Sequence, residues 1–285
     1  MKKYLFLLCL PFLGTTYVAA QSREPFLTLN TEMHTAMVNR ISTDRRNRSV
    51  LTCSQDKTAK LWRLSDGQLL QTFRIPIGKD YEGKLYACAL SPNGLTAAIG
   101  GYTGFEWDNT CSIYLFDTQN GSMKQRINGL PNVIFDIEYS PDVRFIVAAL
   151  GRNSGIRIYR TTDYQIQLED KDYADNCHNA AFDNTGRLAT VCLDGNIRLY
   201  DAQFKLQKKA ATTGGKQPYS LAFSPNGNLL AVGYDTTMQV LNGQSLNLLY
   251  APEVSGTVAN YRLKMVAFST DGEQLIAGGK YFFNL

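Results

Sequence analysis

The residues from 221 to 232 read Leu-Ala-Phe-Ser-Pro-Asn-Gly-Asn-Leu-Leu-Ala-Val. Apolar runs on either side of a short polar break are typical of two strands that are covered on both faces. Within the break, Pro225 fixes φ at the first central turn position, and Asn226-Gly227 accepts left-handed φ with little strain. The stretch therefore predicts a tight β-hairpin.

The same hairpin recurs along the chain. Its other turns are Ser91-Pro92-Asn93-Gly94, Ser140-Pro141-Asp142, Asp183-Asn184-Thr185-Gly186 and Ser269-Thr270-Asp271-Gly272. The residues just before successive turns, from Thr43 to Phe268, are 41 to 49 residues apart. A four-stranded propeller blade repeats every ~40–45 residues. A single open sandwich would not need six such units in series, so the spacing favours a β-propeller.

A third strand in each of the first five units ends near an aromatic or large apolar residue. The ends are Leu61-Trp62-Arg63, Leu115-Phe116-Asp117, Ile158-Tyr159-Arg160, Leu199-Tyr200-Asp201 and Val240-Leu241-Asn242. This pattern resembles WD repeats in which the Trp-Asp dipeptide is mostly degraded, and the resemblance covers residues 26–285. It implies an all-β WD-repeat β-propeller that acts by binding.

The first unit carries the most specific part of the resemblance. Residues at the family's buried hydrogen-bond positions imply a structural tetrad of His34, Ser54, Asp56 and Trp62. In it, the Trp62 indole would donate to Ser54, whose hydroxyl reaches His34, which Asp56 holds. Such a network satisfies polar groups inside an apolar blade, so it favours a structural role over a catalytic Ser-His-Asp role. Asp194 and Asp235 keep the turn acid without a matching His, and packing is expected to replace the tetrad there.

The resemblance also sets the expected number of blades. The family's commonest ring has seven, whereas the sequence gives about six, and the sixth unit shows only its first two strands, at 263–269 and 273–279. Phe26–Asn30 resembles the outer strand that closes such a ring. We therefore expect a propeller that is incomplete at its C-terminus and open as a horseshoe. The alternative is a sealed six-bladed ring in which Phe26–Asn30 completes the sixth sheet.

Residues 1–20 are expected to form a secretory signal peptide, with the propeller over 21–285. Lys2 and Lys3 precede an apolar run of about ten residues, and Val18-Ala19-Ala20 offers small residues for cleavage. The run is too short for a membrane span of ~30 Å, so no stable membrane insertion is expected. Cleavage lowers the formal net charge from +4 to +2, which leaves no electrostatic footprint for nucleic acid. The predicted location is the bacterial periplasm or the exterior.

Five cysteines remain after residue 20: Cys53, Cys88, Cys111, Cys177 and Cys192. They show no C-x-x-C pair and no His at metal-ligand spacing, so neither a metal site nor a cofactor is expected. Cys177 and Cys192 flank the Asp183–Gly186 turn at similar distances, which predicts cross-strand neighbours. Simple packing and a disulfide are both open.

The resemblance to WD repeats implies that the loops between blades share one face with the loops between second and third strands. Partner binding is expected on that face. The insertion at 102–108 adds three aromatic residues there, and aromatic residues are enriched at interfaces. They either bind a partner or pack the long loop onto the rim. The predicted partner-binding residues are Tyr81, Lys84, Phe105, Trp107, Tyr173 and Tyr261.

The segment 76–86 resembles one found in bacterial WD-repeat proteins, some of which are joined to caspase-like peptidase domains. The chain's adjacent Cys177-His178 pair lies on an inner strand, and His178 aligns with Tyr86, Phe135 and Tyr219, so a packed role is predicted. The sequence thus favours a non-catalytic scaffold for a protein or peptide partner. The alternative is a hydrolase or isomerase at the channel mouth, which would need converging carboxylates from Asp80, Glu82, Asp172 and Asp175.

Overall fold

The computed structural model describes residues 32–104, 109–212, 217–235, 237–252 and 261–281. The chain divides into two compact units, Met1–Met33 and His34–Leu285, and every strand described below belongs to the second. The predicted signal peptide and the predicted closing strand Phe26–Asn30 lie outside the described residues. The expectations of an open ring and of export are therefore not tested by the structure.

The described residues form an all-β fold, as predicted, with six successive sheets. Blade one contains β1 (Val38–Thr43), β2 (Ser49–Ser54), β3 (Thr58–Arg63) and β4 (Leu69–Arg74). Blade two contains β5 (Leu85–Leu90), β6 (Thr96–Gly101), β7 (Cys111–Asp117) and β8 (Met123–Leu130). Blade three contains β9 (Ile134–Tyr139), β10 (Phe145–Leu150), β11 (Ile156–Arg160) and β12 (Ile166–Asp170), with one 3₁₀ turn at Arg152–Ser154.

The remaining blades follow the same plan. Blade four contains β13 (Cys177–Phe182), β14 (Leu188–Cys192), β15 (Asn196–Tyr200) and β16 (Leu206–Ala211). Blade five contains β17 (Ser220–Phe223), β18 (Leu229–Gly233), β19 (Met238–Asn242) and β20 (Leu248–Tyr250). The sixth sheet pairs β21 (Tyr261–Phe268) with β22 (Leu275–Tyr281). All the pairings are antiparallel between consecutive strands, which confirms a WD-type β-propeller.

The hairpin turns have the chemistry that the sequence predicted. Ser224 accepts the Gly227 N–H through its carbonyl oxygen at 2.8 Å, and Gly227 has φ of 72°. In blade four, Asp183 replaces the serine and binds the Arg187 guanidinium, with 2.7 Å from Arg187 Nε to Asp183 Oδ2. Arg187 also donates to the carbonyl of Gly227 in the next blade at 2.8 Å. The turn therefore links two blades.

The hydrophobic core lies between consecutive blades. Each of its five clusters joins side chains from two neighbouring sheets, as when Ile113 and Leu115 of blade two pack with Ile134 and Ile137 of blade three. The second strand β18 is covered on both sides and consists of apolar residues, whereas all three residues of the outer strand β20 are exposed. The blades thus form a rigid base for the loops.

An extra residue near the start of the inner strand positions the candidate site. Four of the first five blades show the same register break, in which one inner-strand residue has no partner on the second strand; these residues are Asn39, Tyr86, Phe135 and His178. The sixth sheet has its break at Lys264. Tyr219, just before β17, takes the corresponding place in blade five. Such β-bulges redirect side chains.

No helix in the described part of the chain is long and apolar enough to cross a membrane.

Candidate functional site

Blade one holds a part-buried hydrogen-bond relay, in which Thr52 is the link between Trp62 and His34. Trp62 Nε1 donates to Thr52 Oγ1 at 2.8 Å, and His34 Nε2 lies 2.8 Å from the same oxygen. At the other ring nitrogen, His34 Nδ1 lies 2.8 Å from Asp56 Oδ2. Ser54, the residue implied for this link, instead donates to the Ala36 carbonyl and accepts the Asp56 N–H.

The strand register explains this correction. Trp62 lies opposite Val50, so Thr52 is its diagonal neighbour, whereas Ser54 lies two residues farther along the same face. Burial raises the pKa of Asp56, but hydrogen bonds from Thr58 and His34 outweigh it, and the pKa lies below its usual value. An ionised, buried and fully hydrogen-bonded Asp56 suits a structural network.

At the matching place, where the sequence predicted a greater reliance on packing, blade four has a buried ion pair. The Arg198 side chain is fully buried and binds Asp194, with 2.7 Å between Arg198 Nη2 and Asp194 Oδ2. The guanidinium stacks 3.9 Å from the centre of the Tyr173 ring. Tyr173 is 3% exposed, and its hydroxyl bonds to Thr190 and Tyr200. The structure uses its ring and hydroxyl inside the protein and so gives no support to the predicted partner-binding role of Tyr173.

A continuous row of rings crosses blades two to five. We call it the aromatic arc, and its members in order are Tyr81, Tyr102, Tyr86, Phe135, His178 and Tyr219. Successive ring centres are 5.8, 5.6, 6.1, 4.7 and 5.6 Å apart. Tyr86, Phe135 and His178 occupy the bulge position of their blades, and Tyr219 takes the corresponding place just before β17. His178 packs between its neighbours as predicted.

Two loops of blade two extend the arc to the surface. The loop before β5 carries Tyr81 and the loop after β6 carries Tyr102, and Gly83 N–H donates to the Tyr102 carbonyl at 2.6 Å. Tyr81 is 61% exposed and Tyr102 is 39% exposed, whereas Tyr219 at the other end is 5% exposed. The arc thus runs from an open rim into the protein. Lys84 places its Nζ 4.3 Å from the centre of the Tyr81 ring.

The structure brings together only part of the predicted partner-binding set. Lys84 lies beside Tyr81 at the exposed end of the arc, and Tyr173 is buried in blade four. Phe105 and Trp107 lie outside the described residues. Tyr261 begins β21, and its side chain also lies outside them. Tyr86, Phe135 and Tyr219 were not predicted to bind, although their alignment with His178 is the sequence signal that could have found them.

Under the arc, charged side chains meet on the axis where the inner strands converge. Arg40 Nε of blade one lies 3.2 Å from Asp136 Oδ1 of blade three. Asp136 also accepts the Ala180 N–H at 3.0 Å and a hydrogen bond from the Asn179 amide. Burial raises the pKa of Asp136, although the Arg40 charge opposes it. We call Arg40, Asp136, Asn179 and the half-buried Glu138 the channel cluster.

Two of the carboxylates that the enzymatic alternative would need have partners within the protein. Asp172 Oδ2 forms an ion pair with Lys209 Nζ at 2.7 Å, and Asp175 accepts the N–H of Asn176. Asp80 and Glu82 belong to the loop before β5. Among the described residues, no group of three or more His, Cys, Asp or Glu side chains could hold a metal ion.

The cysteine pair is placed as the hairpin symmetry predicted. Cys177 lies directly opposite Cys192 across β13 and β14, and both are buried free thiols. Burial raises the pKa of both, that of Cys192 to about 12, which disfavours the reactive thiolate. A second buried pair, Cys53 and Cys88, lies between blades one and two.

Comparisons with known proteins give two matches. A family model described as a domain of unknown function, DUF7165, matches residues 136–281, about half of the chain. A model described as WD domain, G-beta repeat matches residues 25–63, which include His34 and Trp62 of the relay. No curated protein matches the chain. The first match begins at Asp136 and therefore takes in the channel cluster apart from Arg40.

Proposed function

The chain belongs to the DUF7165 family, and we propose that it is a non-catalytic scaffold that binds a protein or peptide partner along the aromatic arc. Proteins with WD repeats generally act through interactions, which supports a binding role over an enzymatic one. The observation that carries the proposal is the unbroken row of six rings on one face of four blades.

The composition of the arc suits a binding surface. Tyrosine offers a large, rigid ring together with a hydroxyl, and such residues dominate the energetics of interfaces. Four of the rings are set by inner strands that the blades hold on both sides, so little side-chain entropy is lost on binding. The gradient of exposure along the arc offers a partner one accessible end and one deep end.

The dimensions of the arc favour an extended segment. Its five ring-to-ring steps measure between 4.7 and 6.1 Å. An extended chain advances ~3.3 Å per residue, so a segment of roughly eight residues would follow the whole arc. We therefore propose a peptide, or a loop of a protein, that lies along the rings.

We also propose that binding occurs outside the bacterial cytoplasm, after cleavage between Ala20 and Gln21. The support is the basic start, the short apolar run and the small residues at 18–20. Mass spectrometry of the protein from the envelope fraction is expected to find Gln21 at its N-terminus. A protein that keeps Met1 and stays in the cytoplasm would exclude export.

Peptide selection tests the proposed surface. We expect a displayed random-peptide library to yield binders whose affinity falls roughly tenfold or more in Tyr81→Ala and in Tyr102→Ala. Tyr250→Ala is the matched control, because Tyr250 is 52% exposed but lies on the outer strand β20. Selected peptides that lose affinity equally in all three variants, or in none, would place binding elsewhere and overturn the proposal.

A further inference from the structure

The β-bulges that position the arc residues leave backbone carbonyls that need hydrogen-bond donors. A bulged residue drops out of the ladder, so its backbone groups lose their regular partners. A buried carbonyl without a donor is costly, and native proteins nearly always supply one. For Phe135 and His178, the donor comes from the opposite side of the channel.

That donor is Arg40 of blade one. Its Nη2 donates to the Phe135 carbonyl at 3.1 Å and to the His178 carbonyl at 3.2 Å. Arg40 therefore spans from β1 to β9 and β13 and binds the backbone of the two adjacent arc residues whose rings are 4.7 Å apart. One guanidinium group thus sets the separation of two blades at the level of the arc.

Asn39, the bulge residue next to Arg40, donates to a backbone carbonyl of blade two. Asn39 Nδ2 donates at 2.7 Å to the carbonyl of Leu85, which directly precedes the arc residue Tyr86. Gln55 in turn donates to Asn39 Oδ1 at 3.4 Å. Blade one, which has Asn39 where the next four blades have rings, therefore supplies donors to the bulges of blades two, three and four.

Asp136 fixes the direction of the Arg40 guanidinium. Its carboxylate is 4% exposed, lies 3.2 Å from Arg40 Nε, and is itself held by the Ala180 N–H of blade four. The Asn179 side chain, which donates to Asp136, accepts the Leu221 N–H of blade five at 2.8 Å. The ion pair with Asp136 therefore links the guanidinium to hydrogen bonds that connect blades three, four and five.

We propose that Arg40, with Asn39 beside it, is the positioning residue of the arc: it holds Phe135 and His178 in place by binding their carbonyls and does not touch the ligand. This rests on the proposed function of the arc. Lysine at position 40 would keep the charge but cannot offer the planar set of donors that reaches two carbonyls and a carboxylate together.

The protein's two histidines make the test direct. His178 packs against Phe135, so the ring current of Phe135 shifts its imidazole protons in an NMR spectrum, whereas His34 belongs to the relay of blade one. We expect Arg40→Lys to move the His178 signals towards their unfolded positions and to leave those of His34 unchanged. Arc-dependent peptides from the selection above should bind roughly tenfold more weakly to Arg40→Lys.

Arg157→Lys is the matched control. Arg157 also binds a carboxylate, that of Glu169 at 2.6 Å, and a backbone carbonyl of the preceding blade, that of Gly129 at 2.6 Å, but it lies on the third strand. We expect neither histidine to respond to this change. Arg40→Gln, which keeps an amide donor, provides a second variant that should move His178 in the same direction.

The following results would overturn the inference. Unchanged His178 signals in folded Arg40→Lys would show that Arg40 does not position the arc. A peptide that binds more weakly while His178 stays unchanged would show that Arg40 contacts the ligand itself. If neither Arg40 variant folds, Arg40 supports the whole propeller and not the arc in particular. The NMR result stands even if no peptide binds the arc, so failure of the proposed function is seen separately.

Discussion

The Trp62 indole donates to the Thr52 hydroxyl at 2.8 Å, across two neighbouring strands of blade one. The same hydroxyl lies 2.8 Å from His34 Nε2, and the carboxylate of Asp56 lies 2.8 Å from His34 Nδ1. Because a carboxylate only accepts, the proton of a neutral His34 belongs on Nδ1, and Nε2 then accepts from Thr52. The relay therefore has one direction, from Trp62 through Thr52 and His34 to Asp56.

Thr52→Val tests this route. The substitution keeps the shape but leaves the Trp62 N–H and His34 Nε2 without a partner in a part-buried site, which should cost about 1–3 kcal/mol of unfolding free energy. We also expect the NMR signals of the Trp62 indole N–H and the His34 ring to move. Ser54→Ala is the control, because Ser54 is buried nearby but bonds only to backbone groups. If Ser54→Ala moves those two signals and Thr52→Val does not, the relay passes through Ser54.

The ion pair of blade four should be a large contributor to stability. Removing one partner of a buried pair leaves the other charge without compensation and typically costs about 3–5 kcal/mol. We therefore expect Arg198→Met to destabilise the protein by that amount in urea unfolding. Arg160→Met is the control: Arg160 also pairs with an aspartate at 2.8 Å, but both side chains are 40% or more exposed, so the loss should be about 0–1 kcal/mol. Equal losses in the two variants would contradict the structural role assigned to Arg198.

Acid unfolding provides an independent check on the same pair. Burial alone would raise the pKa of Asp194, but the hydrogen bond and charge of Arg198 lower it to about 2. A carboxyl with a depressed pKa contributes stability that is present above its unfolded value and is lost as the pH falls towards its folded value. We expect the wild-type protein to lose this contribution between about pH 4 and pH 2, and Arg198→Met to show a smaller loss in that range. The measurement is the unfolding free energy as a function of pH.

The blades could be predicted from the sequence because their signals are local. Ser-Pro-Asn-Gly turns, apolar inner strands and a third strand with an aromatic end lie within a few residues of one another, and each acts through backbone geometry. The hairpin symmetry that placed Cys177 opposite Cys192 is of the same kind. Such features can be recognised without knowing which side chains the other blades place nearby.

The site was harder to predict because its contacts join strands and loops that are distant in the sequence. Thr52 and Ser54 lie on one face of one strand, and only the pairing with β3 decides which of them meets Trp62. Tyr173 has the position of a surface loop residue, but Arg198 and Tyr200, from another part of the blade, bury it. The sequence aligned the residues of the arc, yet the β-bulges that bring their rings into contact have no mark in composition or spacing.

The buried thiols should be unreactive in the folded protein. Cys177 and Cys192 are fully buried, and their raised pKa values disfavour the thiolate that reacts with thiol reagents. We expect a thiol reagent to modify them only after denaturation, with mass spectrometry locating the labelled residues. If both stay unlabelled after denaturation and become labelled only after reduction, they form a disulfide across the hairpin.

The channel carboxyl Glu138 should make stability depend on pH near neutrality. It lies two residues after Asp136 on β9, and within the described part of the chain it makes no hydrogen bond or ion pair. Burial raises the pKa of Glu138 to about 8, and the charge of Asp136 adds to this, while Arg40 opposes it. The folded protein therefore keeps a proton on Glu138 over a pH range in which the unfolded chain has released it.

The sign of the effect follows from this difference in bound protons. Between about pH 4.5 and pH 8 the folded state binds more protons than the unfolded state, so the unfolding free energy falls as the pH rises. Glu138→Gln removes the titration, and we expect the variant to be more stable than the parent by about 1–3 kcal/mol at pH 9, with little difference at pH 5. Glu169→Gln is the control with the opposite sign, because Lys171 and Arg157 lower the pKa of Glu169 and its contribution is lost in acid. Urea unfolding at about pH 5, 7 and 9 measures all three proteins, and parallel curves for the parent and Glu138→Gln would show that Glu138 is ionised in the folded channel.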